Sequence, residues 1–266
     1  MTRGGVVEAG IDRRWLEDQA RHDPIGHAYA LWDLDHEATR VEFRVHRSGG
    51  VPTAYLLIWR GAPDRPIVHW VGDPGATPLL DALPPRPMVA VVPPTLGLEV
   101  ERRRGPVDRF PVRILARDAS RPLPAPACPV RPLGAADAAA LRRFGMEEPH
   151  EIARGYRDVD PARLSIAEPT VWGAFDGDRL VGVARAAVRL PAVWIVSGVL
   201  VAEGRRGRGI GAAVTAAVAR VAETTGARTA LYVRADNVPA VRLYHRLGFE
   251  DVAERTWIDA GGGQRP

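Results

Sequence analysis

The sequence predicts an α/β fold of the mixed (α+β) kind, built as two successive halves. Three observations carry this. Strand-type alternation and helix-type apolar spacing follow one another in the same order in each half: helices, antiparallel strands, a helix, a strand and a further strand. Between the halves, the stretch from Ala119 to Pro129 holds four prolines in eleven residues, at 122, 124, 126 and 129. Neither a helix nor a strand ladder tolerates that density, so the stretch reads as an extended linker. Finally, Arg205-Arg206-Gly207-Arg208-Gly209-Ile210-Gly211-Ala212 stands between a strand and an alanine-rich helix. A chain of 266 residues accommodates one large domain or two small ones. The expected division is residues 1–118, a linker at 119–128 and a second domain at 129–260.

The first half opens with a helical pattern at Ile11–Arg21 and a second apolar stretch at Ala28–Leu34. Strands are expected at Arg40–His46, where Val41, Phe43 and Val45 share one side, and at Thr53–Trp59 and Ile67–Val71. A short helix near Pro78–Ala82 and strands at Met88–Val92 and Pro111–Ala116 complete it. Trp15, Trp32, Trp59 and Trp70 read as core residues. Between Val71 and Leu79 the chain has Asp73, two prolines and no arginine.

The second half begins with a short strand, Val130–Leu133, a helix at Ala135–Phe144 and a polar helical segment at Glu147–Tyr156. Val171–Phe175 and Leu180–Leu190 flank Asp176-Gly177-Asp178, the turn signal of a hairpin. A strand follows at Ala192–Val201. Val214, Ala217, Val218 and Val221 are spaced for a helix over Ala212–Thr225, with Gly226 just beyond its end. The last elements are a strand at Thr229–Arg234, a helix from Pro239 to Leu247 closed by Gly248, and a strand at Val252–Ile258.

Composition excludes several chemistries. All 36 basic residues are arginine, so there is no phosphate-loop lysine and no Schiff-base lysine. The formal charge of +4 is spread evenly along the chain, which argues against a nucleic-acid surface. No stretch approaches 18 uninterrupted apolar residues, which argues against a membrane span. The single cysteine, Cys128, permits neither an internal disulfide nor a thiolate metal cluster. The expectation is a soluble cytoplasmic protein without a metal.

The glycine loop carries the chemistry. Successive glycines let main-chain N–H groups converge at the start of a helix, whose positive end favours an anion such as phosphate. The competing reading is a flexible connector with solvated arginines. Gly207-x-Gly209-x-x-Ala212 also fits a dinucleotide fingerprint, but there the strand runs straight into the first glycine. Here Ala202-Glu203-Gly204-Arg205-Arg206 intervene.

One helix and one strand later comes Asn237-x-x-Ala240-x-x-Leu243-Tyr244-x-x-Leu247-Gly248-Phe249. Together with Arg206-x-x-Gly209-x-Gly211, and with the opening Val130-Arg131-Pro132-Leu133-Gly134-Ala135-Ala136-Asp137, this resembles the GNAT superfamily of acetyl-CoA-dependent N-acyltransferases. The resemblance runs from about Pro129 to Asp259. It implies the GNAT fold, a mixed and mostly antiparallel central sheet flanked by helices, preceded by a degenerate GNAT-like first half whose Gly72–Pro78 segment is not suited to CoA. It implies acetyl-CoA as co-substrate, with the pyrophosphate on the backbone of Gly207, Arg208, Gly209, Ile210, Gly211 and Ala212 beside Arg206. Val199, Leu200 and Val201 would align the pantetheine arm, Asn237 would bond its other side, and Tyr244 would protonate the leaving thiolate. A phenol near pKa 10 is suited to that donation, although Tyr244 also reads as a packing residue beside Leu247.

The implied partner is a primary amine, on a small molecule or a peptide N-terminus, and the resemblance leaves room for a homodimer. Histone-type members carry a glutamate where this chain has Ile195, and no carboxylate occurs between Arg179 and Ala202. Glu147, Glu148, His150 and Glu151 border the expected acceptor site but read as solvated, and Ser197 is the only hydroxyl on its strand. Arg185 and Arg189 share a strand parity; they either face outward or hold a carboxylate of the acceptor. The missing base also leaves open a non-catalytic CoA-binding regulator.

Overall fold

The structure, a computed structural model, describes residues 5–61, 65–150, 152, 154–157 and 159–261. In chain order the elements are β1 (Val6–Ala9), α1 (Arg13–His22), α2 (Ala28–His36), β2 (Val41–Ser48), β3 (Val51–Trp59), β4 (Ile67–Gly72), β5 (Val89–Val92), α3 (Gly97–Arg104) and β6 (Asp108–Arg117). They continue with β7 (Val130–Pro132), α4 (Ala138–Glu147), α5 (Arg154–Arg157), β8 (Val171–Asp176), β9 (Arg179–Arg189), β10 (Val193–Val201), α6 (Ile210–Thr224), β11 (Arg228–Arg234), α7 (Val238–Arg246) and β12 (Glu250–Asp259). No helix among the described residues is long and apolar enough to cross a membrane.

Packing divides the chain into two units. The first comprises Met1–Ile114 with Arg234–Asp236 and Ala253–Pro266; the second comprises Leu115–Val233 with Asn237–Val252. In the first unit β1, β2, β3 and β4 form an antiparallel meander, β4 and β5 are parallel, and β12 runs antiparallel to β5 with Trp257 opposite Val91. The end of the chain thus completes the first unit's sheet. Alternation along β3 buries both faces: Ala54, Leu56 and Ile58 join Trp70, Leu79 and Leu80, while Tyr55 and Leu57 join Leu16 and Phe43. Of the four tryptophans read as core, only Trp70 is fully buried; Trp15, Trp32 and Trp59 are half-buried. Trp15 meets Tyr55 edge-on at 6.2 Å and Trp32 stacks on His36 at 3.7 Å.

The segment after β4 forms no α-helix. Thr77–Ala82 is a six-residue 3-10 helix with Pro78 in its first turn, while Asp73 turns back to accept the Gly75 N–H at 2.7 Å. Two elements have no counterpart in the sequence reading. β1 is four residues long and mostly exposed, and α3 buries only Gly97 and Val100 beneath a charged face.

The second unit repeats the pattern of antiparallel strands followed by one parallel pair. β7, β8, β9 and β10 are antiparallel, and β10 is parallel to β11. Its core gathers Trp172, Val183, Ala184, Val196, Val214, Val218, Leu231, Tyr244 and Phe249. The polar segment 147–156 is not one helix. α4 ends at Glu147 and Glu148 is extended (φ −85°, ψ 126°), as the residue preceding Pro149 must be. The next α-helix among the described residues is α5. The proline-rich linker is extended and tied down: Arg220 donates to the Pro124 carbonyl, and Leu123 and Cys128 pack on this unit's core.

Candidate active site

The glycine loop leaves β10 through a 3-10 turn, Glu203–Arg205, and enters α6 at Gly209. Gly207 (φ +76°) and Gly209 (φ +78°) both adopt left-handed backbone, which a side chain strains. A Cβ on Gly209 would also meet the Cβ of Ala127 at 2.8 Å. Gly209 is the N-cap and offers no capping side chain, so the first N–H groups of α6 face outward without a partner from the helix itself. Such N–H groups at the positive end of a 15-residue helix suit a phosphate oxygen. Ile210 is buried over Gly182, where any Cβ would lie 2.4 Å from its Cγ2. Gly211 lets Leu243 of α7 approach its Cα, and Ala212 is half-buried in the same turn.

Three arginines surround this loop. Arg205 is paired with Asp176 of the hairpin turn. Arg206 is exposed and its Nε lies 3.4 Å from the Val201 carbonyl. Among the described residues no carboxylate pairs with Arg206 or with the exposed Arg208.

The strand that feeds the loop separates from its neighbour. β10 pairs with β11 only from Val193–Arg228 to Val196–Leu231, so residues 197–201 have no ladder partner in β11. On the β9 side the register breaks between Ser197 and Leu200 and resumes with Leu200 opposite Val183 and Val201 opposite Gly182. Gly198 (φ +61°) sits in this bulge, and its carbonyl accepts the Tyr156 hydroxyl at 2.5 Å. Val199, Leu200 and Val201 therefore lie in the part of β10 that has no ladder partner in β11.

Asn237 and Tyr244 belong to α7. The Asn237 Oδ1 caps that helix by accepting the Ala240 N–H at 3.2 Å, which leaves its amide N–H groups to donate elsewhere. Tyr244 is 7% exposed and meets Phe249 edge-on at 5.9 Å. Burial pushes its phenol from 10 up to about 12, so the hydroxyl keeps its proton at any ordinary pH. Tyr156 is likewise raised to about 12 by burial, although the Arg185 charge opposes the rise.

The four residues read as solvated divide. Glu147 and His150 are exposed, and Glu151 lies outside the described residues. Glu148, however, is 6% exposed, and its carboxylate accepts the Glu203 N–H at 3.2 Å. The break at Pro149 turns it inward, where it lines a cleft of about 240 Å3 with Arg179, Val181, Ala202, Glu203, Gly204 and Arg205. It fixes the turn that opens the glycine loop. Arg185 and Arg189 are half-buried rather than splayed into solvent: Arg185 Nε donates to Ser197 Oγ at 3.3 Å, and Arg189 reaches the Pro169 carbonyl at 3.5 Å. Tyr156, Gly198, Glu148 and Gly182 are structural parts of the site for which the sequence offers no local motif.

The family model described as "Acetyltransferase (GNAT) family" matches residues 138–249, from the start of α4 through Phe249. The match spans the glycine loop, the parting strands and Tyr244. Over these residues the chain is similar to the GNAT acetyltransferases. A mycothiol acetyltransferase of Corynebacterium aurimucosum is 46% identical over 65 residues, which cover 24% of this chain and 21% of that protein. The chain thus aligns with about a fifth of the length of this curated relative. A GCN5-related N-acetyltransferase from Sphaerobacter thermophilus shares the fold with a TM-score of 0.60 at 17% identity, covering 98% of this chain and 97% of that one. A tandem GNAT protein from the clavulanic acid biosynthesis pathway does so at 0.57 and 18% identity, over 97% and 100% of the two chains. At these identities the likeness is one of fold, and it extends over the first unit as well as the second.

Proposed function

We propose that this protein transfers an acetyl group from acetyl-CoA to a primary amine, on a small molecule or a peptide N-terminus. The reading rests most heavily on one observation. The glycine loop, with its unpartnered N–H groups, lies at the end of the same strand whose residues 197–201 have left β11, while buried Tyr244 follows on the next helix. A pyrophosphate suits the first feature, an extended arm the second and a leaving thiolate the third. Acetyl-CoA supplies an acetyl group activated as a thioester. The N–H groups of residues 207–212 and the side chains of Arg206 and Arg208 bind its phosphates, and Asn237 donates to the arm.

The Tyr244 hydroxyl gives its proton to the sulfur as the C–S bond breaks and the C–N bond forms, leaving an N-acetyl amine and the free thiol of CoA. The amine's own proton leaves to water, since residues 179–202 contain no carboxylate. That absence favours a small or terminal amine over a histone lysine. In this reading the first unit is a degenerate GNAT-like partner that does not bind CoA, since its counterpart of the loop leads into a six-residue 3-10 helix.

The second reading, a CoA-binding regulator without turnover, is favoured by the missing base and opposed by Tyr244. Thiol release from acetyl-CoA across a panel of amines separates the two. The lysine-free chain keeps this assay clean, because its only amine is the N-terminus. Intact mass after incubation with acetyl-CoA is expected to rise by at most one amine-linked acetyl group.

A further inference from the structure

Among the arginines of the second unit, Arg185 holds a distinctive position. It projects from β9 opposite Ser197, at the residue where the β9–β10 register breaks. Its Nε is anchored on Ser197 Oγ at 3.3 Å, and its guanidinium lies 6.0 Å from the Tyr156 ring centre. Tyr156 turns its ring toward the guanidinium while its hydroxyl donates to the Gly198 carbonyl, and it carries no charge. Both neighbours therefore orient the guanidinium without neutralising it.

Several arginines of this unit meet a carboxylate: Arg131 pairs with Asp137, Arg179 with Glu147 and Arg205 with Asp176. Among the described residues Arg185 meets none, and no acceptor bonds its two Nη groups. A planar fork of N–H donors is matched best by a carboxylate bound through both oxygens.

We propose that Arg185 is the carboxylate receptor of the acceptor site, so that the substrate is an amine that also carries a carboxylate. The inference rests on the acetyl-transfer reading and narrows its acceptor. The α-carboxylate of a free amino acid places anion and amine two bonds apart through one carbon. The side-chain carboxylate of an acidic N-terminal residue separates them further.

The test uses the full chain with acetyl-CoA and acceptors in pairs: glycine and glycinamide, L-alanine and L-alaninamide, and glutamyl-alanine amide beside glutaminyl-alanine amide. The carboxylate member of at least one pair is expected to be used with a kcat/KM about tenfold or more above its amide. Arg185→Ala should erase that ratio chiefly through KM, and Arg185→Lys should restore only part of it. The pair that shows the preference identifies the carboxylate as α or side-chain. Calorimetry of the same acceptors with the CoA-bound protein gives a readout independent of turnover, and acetyl-CoA affinity of Arg185→Ala checks that the variant is folded. If no amine is acetylated yet a carboxylate binds about tenfold more tightly than its amide and Arg185→Ala abolishes the difference, the acetyl-transfer reading fails and the receptor stands. Equal use and equal binding of acid and amide, or a preference that survives Arg185→Ala, overturns the proposal.

Discussion

Tyr156 donates its hydroxyl proton to the carbonyl of Gly198 at 2.5 Å, at the point where β10 leaves β11 and its register with β9 breaks. The two residues are 42 positions apart and fit because Gly198 has no side chain: a Cβ there would lie 2.4 Å from the phenolic oxygen. The contact fixes the orientation of the peptide that precedes Val199. Removing the hydroxyl with Tyr156→Phe gives up one buried hydrogen bond, worth about 1–1.5 kcal/mol. We expect kcat to fall about tenfold while acetyl-CoA affinity, read by calorimetry, changes little. An unchanged kcat would mean that the bulge holds itself.

Gly207 and Gly209 are both left-handed, but only Gly209 is also crowded, by Ala127. Gly209→Ala combines backbone strain with a clash against the linker, and should cost about 1–3 kcal/mol of stability and weaken acetyl-CoA binding. Gly207→Ala meets open space and should show the smaller loss in both. Thermal melts and calorimetry on the two variants side by side check the ranking.

Burial keeps Tyr244 protonated, with its phenol pushed up to about 12. A proton donor is competent below its pKa, so the rate should climb with pH as the amine loses its proton, without a falling limb at the ordinary phenol value near 10. A pH–rate profile of kcat that turns down there would contradict the assignment.

Arg117 is buried beneath the junction of linker and helices, where it pairs with Glu223 at 2.9 Å and donates to the carbonyls of Leu247 and Arg121. Glu223→Ala leaves that cation with carbonyls alone and should lower stability by about 3 kcal/mol in urea unfolding. Replacing an exposed partner such as Asp118 of the Arg228 pair should cost at most about 1 kcal/mol.

These contacts also mark what the sequence conceals. The glycine loop and the helix that carries Asn237 and Tyr244 are legible because glycine, proline and apolar spacings are local signals, and the hairpin announces itself through Asp176-Gly177. Tyr156 with Gly198, Glu148 with Glu203, and Arg117 with Leu247 join positions separated by 42, 55 and 130 residues. Each is chosen by tertiary packing, and no local pattern encodes it. Glu148 read as solvated because the break that turns it inward lies one residue later, at Pro149. For the same reason β12 is legible as a strand, while its pairing with β5 of the first unit is not.

The most direct test of acetyl transfer is simultaneous measurement of thiol release from acetyl-CoA and N-acetyl product formation, on the wild-type chain and on Tyr244→Phe. The wild type should release one thiol for each amine acetylated. Tyr244→Phe should bind acetyl-CoA with unchanged affinity and turn over about a hundredfold more slowly. Tight acetyl-CoA binding at the glycine loop, with no amine raising thiol release above background hydrolysis, would contradict the account and leave a CoA-binding regulator in its place.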